Sequence, residues 1–259
     1  MNSKKVDVVI LAGAEAGEIY PENPSLSRAM VHVAGKPMLQ WVVDAFRKAP
    51  SIGRIVVVGN VDVENVDTVV DPGGSFIENI RKGLEEVGHS EYVVLATCDI
   101  PLLTQEAVED FIQKAGKIGA DFAYPIVPKV ECEQRYPGIK RTYLRTADGV
   151  FTGGNIVLVN SQFVLDNWKV INEAYAARKQ VLKLARIIGL GALFRAALAM
   201  IFPRLLRISA LEDAAARVVG GKVAAVVSTY PEIAEDIDKY SDLIAIEEFL
   251  ARKPEKQNK

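Results

Sequence analysis

Short apolar runs alternate along this chain with segments in which apolar residues recur every three or four positions. The runs fit buried strands and the periodic segments fit helices packed against them, which is the pattern of βαβ units around a mostly parallel sheet. Val6 to Leu11 reads as the first strand, Ile55 to Val58 as the second, Tyr92 to Ala96 as the third and Phe122 to Val127 as the fourth. Between them, Lys36 to Lys48 places Met38, Leu39, Trp41, Val42, Val43 and Phe46 on one broad helical face, with Pro37 suited to the first turn. Phe76 to Val87 is the next helix, opened by Gly73-Gly74-Ser75, and Thr104 is the expected N-cap of a helix reaching about Lys117. The predicted class is α/β, with three layers (α/β/α) around a mostly parallel central sheet.

Farther along, Tyr143 to Arg145 and Asn155 to Val159 read as strands bracketing a turn at Ala147-Asp148-Gly149, after a polar and basic segment from Gln134 to Arg141. Phe163 to Arg217 is helical in pattern, Val223 to Val227 is a last strand, and Ser241 is the expected cap of a final helix. With no repeat and no linker, the expectation is a single domain over residues 1–252. It carries a helical insertion at about 163–217 and a polar, disordered tail over 253–259.

Composition narrows the class. The 259 residues are 49% hydrophobic and 25% charged, which excludes disorder and collagen-like structure. Lys and Arg total 31 against 33 Asp and Glu, so no global basic field exists and no nucleic-acid partner is expected. Cys98 and Cys132 form neither a disulfide framework nor a C-x-x-C pair, and two free thiols fit a reducing cytoplasm. His32 and His89 lack metal-like spacing and read as ordinary surface or core residues. The first residues run into an apolar strand that contains an acid and offers no small-residue cleavage site, so a cytoplasmic location is expected.

One region tests the soluble reading. Ile187 to Ile201 is almost wholly apolar, but Arg195 interrupts it and it is too short to span a bilayer. The wider segment 182–206 is apolar nearly all round. This leaves open packing on the domain, a homodimer, a weak membrane contact through Arg195, Arg204 and Arg207, or a hydrophobic acceptor such as a polyprenyl-type compound.

Candidate chemistry gathers at strand ends. Leu11-Ala12-Gly13-Ala14 closes the first strand with residues small enough for backbone N–H groups to approach a phosphate, although a plain turn explains them equally well. Asp99 leaves the third strand in Cys98-Asp99-Ile100-Pro101-Leu102, at the carboxyl end where open α/β sheets bind ligands. A hard oxygen donor there suits Mg²⁺; the alternative is a carboxylate capping the turn before Pro101. Glu235-Asp236-Ile237-Asp238 follows the last strand and would complete a metal site, or else forms a solvated turn beside Asp242 in the next helix's first turn. Lys129, Arg135, Lys140 and Arg141 form a basic set that either binds a phosphate or is a solvated loop.

These pieces, taken in order, resemble the MobA-like (molybdenum cofactor guanylyltransferase-like) NTP transferases. Val8 to Gly13 and then Ser27-Arg28-Ala29-Met30 with Gly35-Lys36-Pro37-Met38 are similar to the family's opening pattern. Asp71-Pro72-Gly73-Gly74-Ser75 resembles its base-recognition turn, and Cys98-Asp99-Ile100-Pro101-Leu102 its metal-binding aspartate motif. Thr152-Gly153-Gly154-Asn155 resembles its acceptor-side glycine turn, and Glu235-Asp236-Ile237-Asp238 its closing acidic motif.

The resemblance implies a glycosyltransferase-A-like nucleotidyltransferase fold and a Mg²⁺-dependent enzyme. Such an enzyme transfers NMP from an NTP to a phosphorylated small-molecule acceptor and releases pyrophosphate. It implies nucleotide contacts at Leu11, Ala12, Gly13, Ala14, Arg28, Gly73, Gly74, Ser75 and Asn79, with Arg28 and Asp99 catalytic. It implies a metal on Asp99 with Asp236 or Asp238, and acceptor contacts at Lys129, Arg135, Lys140, Arg141, Gly153, Gly154 and Asn155. The sequence departs from the pattern at Ala14, where the family has a glycine, and about Glu18, where it has an arginine. Those departures keep open a non-catalytic nucleotide or sugar-nucleotide binding protein. A glycosyltransferase using a nucleotide-sugar donor is the third reading, weakened by Thr97 standing two residues before Asp99.

Overall fold

The computed structural model describes residues 5–88, 90–177 and 206–251. Strands β1 (Val6–Leu11), β4 (Ile52–Val58), β5 (Thr68–Val70) and β6 (Tyr92–Thr97) form the parallel half of the sheet, in the order β5-β4-β1-β6. Two short strands, β2 (His32–Val33) and β3 (Lys36–Pro37), make a separate hairpin. On the far side of β6 lie β10 (Ile156–Asn160) and β7 (Phe122–Pro128), followed by β9 (Gly149–Gly153), β8 (Leu144–Thr146) and β11 (Val223–Val227). Among the described strands of this sheet only β9 and β10 run against the others, so the sheet is mostly parallel in direction, as expected.

β9 and β10 lie end to end along one edge of β7. Phe122 pairs with Val159 at one end of that edge and Ile126 with Gly153 at the other. The break between them is Gly154-Asn155, where the Gly154 N–H donates to Pro125 O and the Asn155 N–H to Ile233 O. The β8–β9 hairpin therefore projects past the end of β6. The sequence pattern missed β9, because its alternation is short and glycine-bounded. It placed one strand boundary at Asn155, where the backbone is instead irregular.

Helices cover both faces. Helix α1 (Met38–Lys48) and helix α3 (Gln105–Ile118) pack on the face carrying Val8 and Ile10, with Phe46 and Phe111 wholly buried. Each such large apolar side chain contributes roughly 1.5–3 kcal/mol. Helix α2 (Phe76–Val87) packs on the opposite face with Val9, Leu11 and Val58. Beside it come α5 (Ser161–Asp166) and α6 (Trp168–Ala177), while α4 (Lys129–Arg135) follows β7 directly. Helix α7 (Ile208–Val219) packs on β11, and α8 (Tyr240–Ala251), the last described helix, lies over Ile19 and Met38.

Local capping explains the well-predicted helices. Thr104 Oγ1 accepts from Ala107 N, and Ser75 Oγ from Glu78 N. The expected cap at Ser241 is replaced: Ser241 lies within α8, and Asp242 Oδ2 accepts from the N–H groups of Asp238 and Lys239. A carboxylate reaching back to two donors outcompetes a hydroxyl already inside the first turn. Part of the basic segment expected as a loop, Gln134 and Arg135, is the end of α4. No described helix is long and apolar enough to cross a membrane. His89, Arg195, Arg204, the tail 253–259 and all of the apolar segment 182–206 except Leu206 lie outside the described residues; Arg207 is exposed just before α7.

Candidate active site

The carboxyl ends of β1 and β6 open onto a cleft of about 430 Å³ lined by Leu11, Gly13, Ala14, Arg28, Gly73, Gly74, Ser75, Asn79 and Asp99. Eight of the nine residues expected at a nucleotide thus meet in one place; Ala12 is buried beneath it. Gly13 follows the end of β1 by two residues, and a Cβ there would come within 2.5 Å of Asn79 Nδ2 and 3.3 Å of Pro72, so glycine lets the two turns approach without displacing Asn79. Asn79 Oδ1 in turn accepts from Gly73 N at 2.6 Å, and Glu78 Oε2 from Gly74 N at 2.9 Å. The Gly-Gly-Ser turn is thereby fixed onto the first turn of α2. The backbone N–H groups of Gly13 and Ala14 make no hydrogen bond among the described residues, leaving two donors pointed at no protein acceptor at the cleft. Glu18 sits exposed on a 3₁₀ turn (Gly17–Ile19) and does not line the cleft.

Charge is concentrated at one wall. Arg28 Nη1 lies 2.9 Å from Asp99 Oδ2 and 3.5 Å from Asp238 Oδ1, while its own backbone N–H donates to Ala14 O. The other oxygen of Asp99, Oδ1, is buried with no hydrogen-bond partner among the described residues. The Ile237 N–H donates to Asp99 O at 2.9 Å, which docks the acidic turn against the end of β6. Burial first, then the nearby carboxylates of Asp236 and Asp99, hold the Asp238 carboxyl above its ordinary range.

Among the described residues no group of three or more His, Cys, Asp or Glu side chains converges as a ready metal cage. Asp99 and Asp238 nevertheless share one arginine nitrogen, and one of them keeps an unpartnered oxygen. That donor set fits Mg²⁺, which takes one or two protein carboxylates and completes its shell with water and phosphate oxygens. Asp236 is differently placed: Arg141 Nη2 holds its Oδ1 at 2.7 Å, and Arg141 Nη1 lies 3.4 Å from Glu235 Oε2. Glu235 is fully buried, and that burial, opposed by Arg141, raises its carboxyl to about 7.

The expected acceptor residues do not form one cluster. Lys129 pairs with Glu133, Arg141 with Glu235 and Asp236, and Arg135 with Glu232 on a separate cavity that Thr104 and Tyr230 also line. Of the four basic residues, only Lys140 makes no ion pair among the described residues. Gly153 carries the Tyr124 hydroxyl directly against it, and a Cβ on Gly154 would come within 2.5 Å of Ile233. Asn155 O accepts from Thr97 N, tying the glycine turn to the end of β6. Burial and then the Asp236 carboxylate push the Tyr124 phenol above its ordinary range.

Thr97, Cys98 and Phe76 also line the cleft, and sequence reasoning did not assign them. Thr97 Oγ1 is buried without a partner among the described residues. Burial pushes the Cys98 thiol up, away from the thiolate a nucleophile needs. Phe76 is 44% exposed and stacks on Tyr175 at 5.7 Å between centroids, an aromatic surface at the mouth. An exposed aromatic immediately after a glycine-rich turn was the available signal.

Residues 8–134 match the family described as MobA-like NTP transferase domain. A solved structure titled a hypothetical transferase from Thermus thermophilus is 36% identical, covers 92% of this chain and 99% of its own, and superposes with a TM-score of 0.79. A curated 2-C-methyl-D-erythritol 4-phosphate cytidylyltransferase from Bifidobacterium longum is 32% identical over 124 residues, 44% of this chain. The chain spans only 42% of that relative's length. The solved structure of an enzyme of that name from Thermus thermophilus shares the fold, with a TM-score of 0.56 at 19% identity, covering 96% of this chain and 100% of its own.

Proposed function

From the match of residues 8–134 to the MobA-like NTP transferase domain, we propose that the chain transfers NMP from an NTP to a phosphorylated small-molecule acceptor, releasing pyrophosphate. CTP is the nucleotide to test first, since the curated relative is a cytidylyltransferase. The observation that carries the reading is the joining, in one cleft, of two unbonded backbone donors, Arg28, and an Asp99 with a free buried oxygen.

In this reaction an acceptor phosphate oxygen attacks the α-phosphorus, a P–O bond forms, and the bond to the β-phosphate breaks. Two anions must meet, so catalysis is mostly positioning and charge neutralisation. The Gly13 and Ala14 N–H groups would receive phosphate oxygens, and Asn79 holds the Gly73 turn against them. Asp99 and Asp238 would hold Mg²⁺, which would supply positive charge to offset that of the phosphates. Arg28, which stands between Asp99 and Asp238 at the cleft wall, would offer its guanidinium to the triphosphate. Arg141 keeps the acidic turn in place through Glu235 and Asp236.

The test is pyrophosphate release from each of the four NTPs with Mg²⁺ and a panel of phosphorylated sugars and alcohols. Acceptor-dependent release with one NTP is expected. NTP binding without release across a broad panel would favour the non-catalytic reading, and neither binding nor release would overturn the proposal.

A further inference from the structure

On the β7–β11 half of the sheet, β7, β8, β9, β11 and α7 line a third cavity of about 390 Å³ whose walls are almost wholly apolar among the described residues. Tyr124, Ile126, Leu144, Phe151, Leu211 and Ala215 supply most of its surface. The acid on its wall, Glu212, does not make it polar, because Oε1 accepts from Ala225 N at 2.7 Å. Tyr124 and Leu144 are 42% and 48% exposed, and no residue of α7 is fully buried although the helix has a distinct apolar face. Among the described residues, an apolar concavity of this size falls in the range of small-molecule sites.

The cavity meets the expected acceptor turn at Gly153. Gly153 lines it, and the hydroxyl of Tyr124, whose ring forms its wall, rests on Gly153. The next residues, Gly154 and Asn155, tie that wall to Ile233 and to Thr97 at the end of β6. A molecule held along this glycine turn would meet the cavity with its remaining part.

We propose that the acceptor is a phosphate monoester carrying an apolar alkyl or prenyl chain, with the chain seated against Tyr124, Ile126, Phe151 and Leu211. The proposal rests on the nucleotidyltransferase reading, since it names that enzyme's acceptor class. Neither the cleft residues nor the matched relatives assign this cavity.

The experiment is calorimetric titration of the full chain with n-alkyl phosphates of increasing length, kept below their micellar concentrations. Affinity should rise about threefold to fourfold per added methylene until the cavity is filled. In Ala215→Phe, which fills the cavity, and in Leu211→Ser, which makes it polar, the slope should flatten, each variant's own methyl phosphate affinity being the reference. A flat series in the wild-type protein overturns the proposal even if both variants misfold. So does an unchanged slope in folded variants, or a dimer that Ala215→Phe dissociates, which would assign the surface to a second copy. CTP titration is run separately: a chain-length slope without CTP binding would remove the transfer reading and leave an apolar-phosphate site. CTP binding with a flat slope would do the reverse.

Discussion

The two halves of the sheet differ in how they are finished. Around β1, β4 and β6 every strand runs the same way, helices cover both faces, and the strand ends carry short turns locked to one another by Asn79, Gly73 and Arg28. Around β7 to β11 the strands are mixed in direction, α7 has no fully buried residue, and an apolar cavity remains. On the proposed function, the first half would take the part of the substrates that does not vary, the phosphates, with its charged groups already in place. The second half offers apolar surface rather than fixed polar contacts, which would suit the apolar part of the proposed acceptor.

If the cleft half is the chemical half, Asp99→Asn should have the largest effect, lowering pyrophosphate release about a hundredfold to a thousandfold while the fold is retained. Normal turnover would break the comparison at its base. Gly13→Val comes next: with 2.5 Å from the new Cβ to Asn79 Nδ2, it should raise the KM for NTP about tenfold and destabilise the fold by roughly 1–3 kcal/mol in urea unfolding.

Glu235 tests the seam between the halves. Its folded carboxyl, raised to about 7, binds its proton more tightly than in the unfolded chain. Its contribution to stability is therefore present below the ordinary carboxyl range and lost as pH rises through about 7. In metal-free buffer, Glu235→Gln should gain on the wild type by roughly 1–3 kcal/mol between about pH 5 and pH 8. A pH-independent difference would contradict that placement. The smallest effect is expected at Lys140→Ala, which should raise acceptor KM about threefold to tenfold and change stability by less than about 0.5 kcal/mol.

Much of the cleft half was legible because its signals are local. Ser75 and Thr104 cap helices three residues ahead, the apolar face of α1 is written in one turn-spaced set, and Leu11 to Ala14 lies in continuous sequence. The pairings that decide charge were not legible: Arg28 meets Asp99 across 71 positions and Arg141 meets Asp236 across 95. Composition showed a basic set at Lys129 to Arg141, but only tertiary structure shows which cations already have acids beside them. The apolar cavity was likewise hidden, because Phe122 to Val127 is a continuous apolar run that reads as a strand buried on both faces, whereas Tyr124 is exposed and lines the cavity.

The most direct test of the central claim is calorimetric titration of CTP and the other NTPs, with and without Mg²⁺, on the wild-type protein and on Asp99→Asn. The account predicts one NTP that binds the wild type more tightly with Mg²⁺, a difference that Asp99→Asn abolishes. Binding that ignores both Mg²⁺ and Asp99 would contradict it.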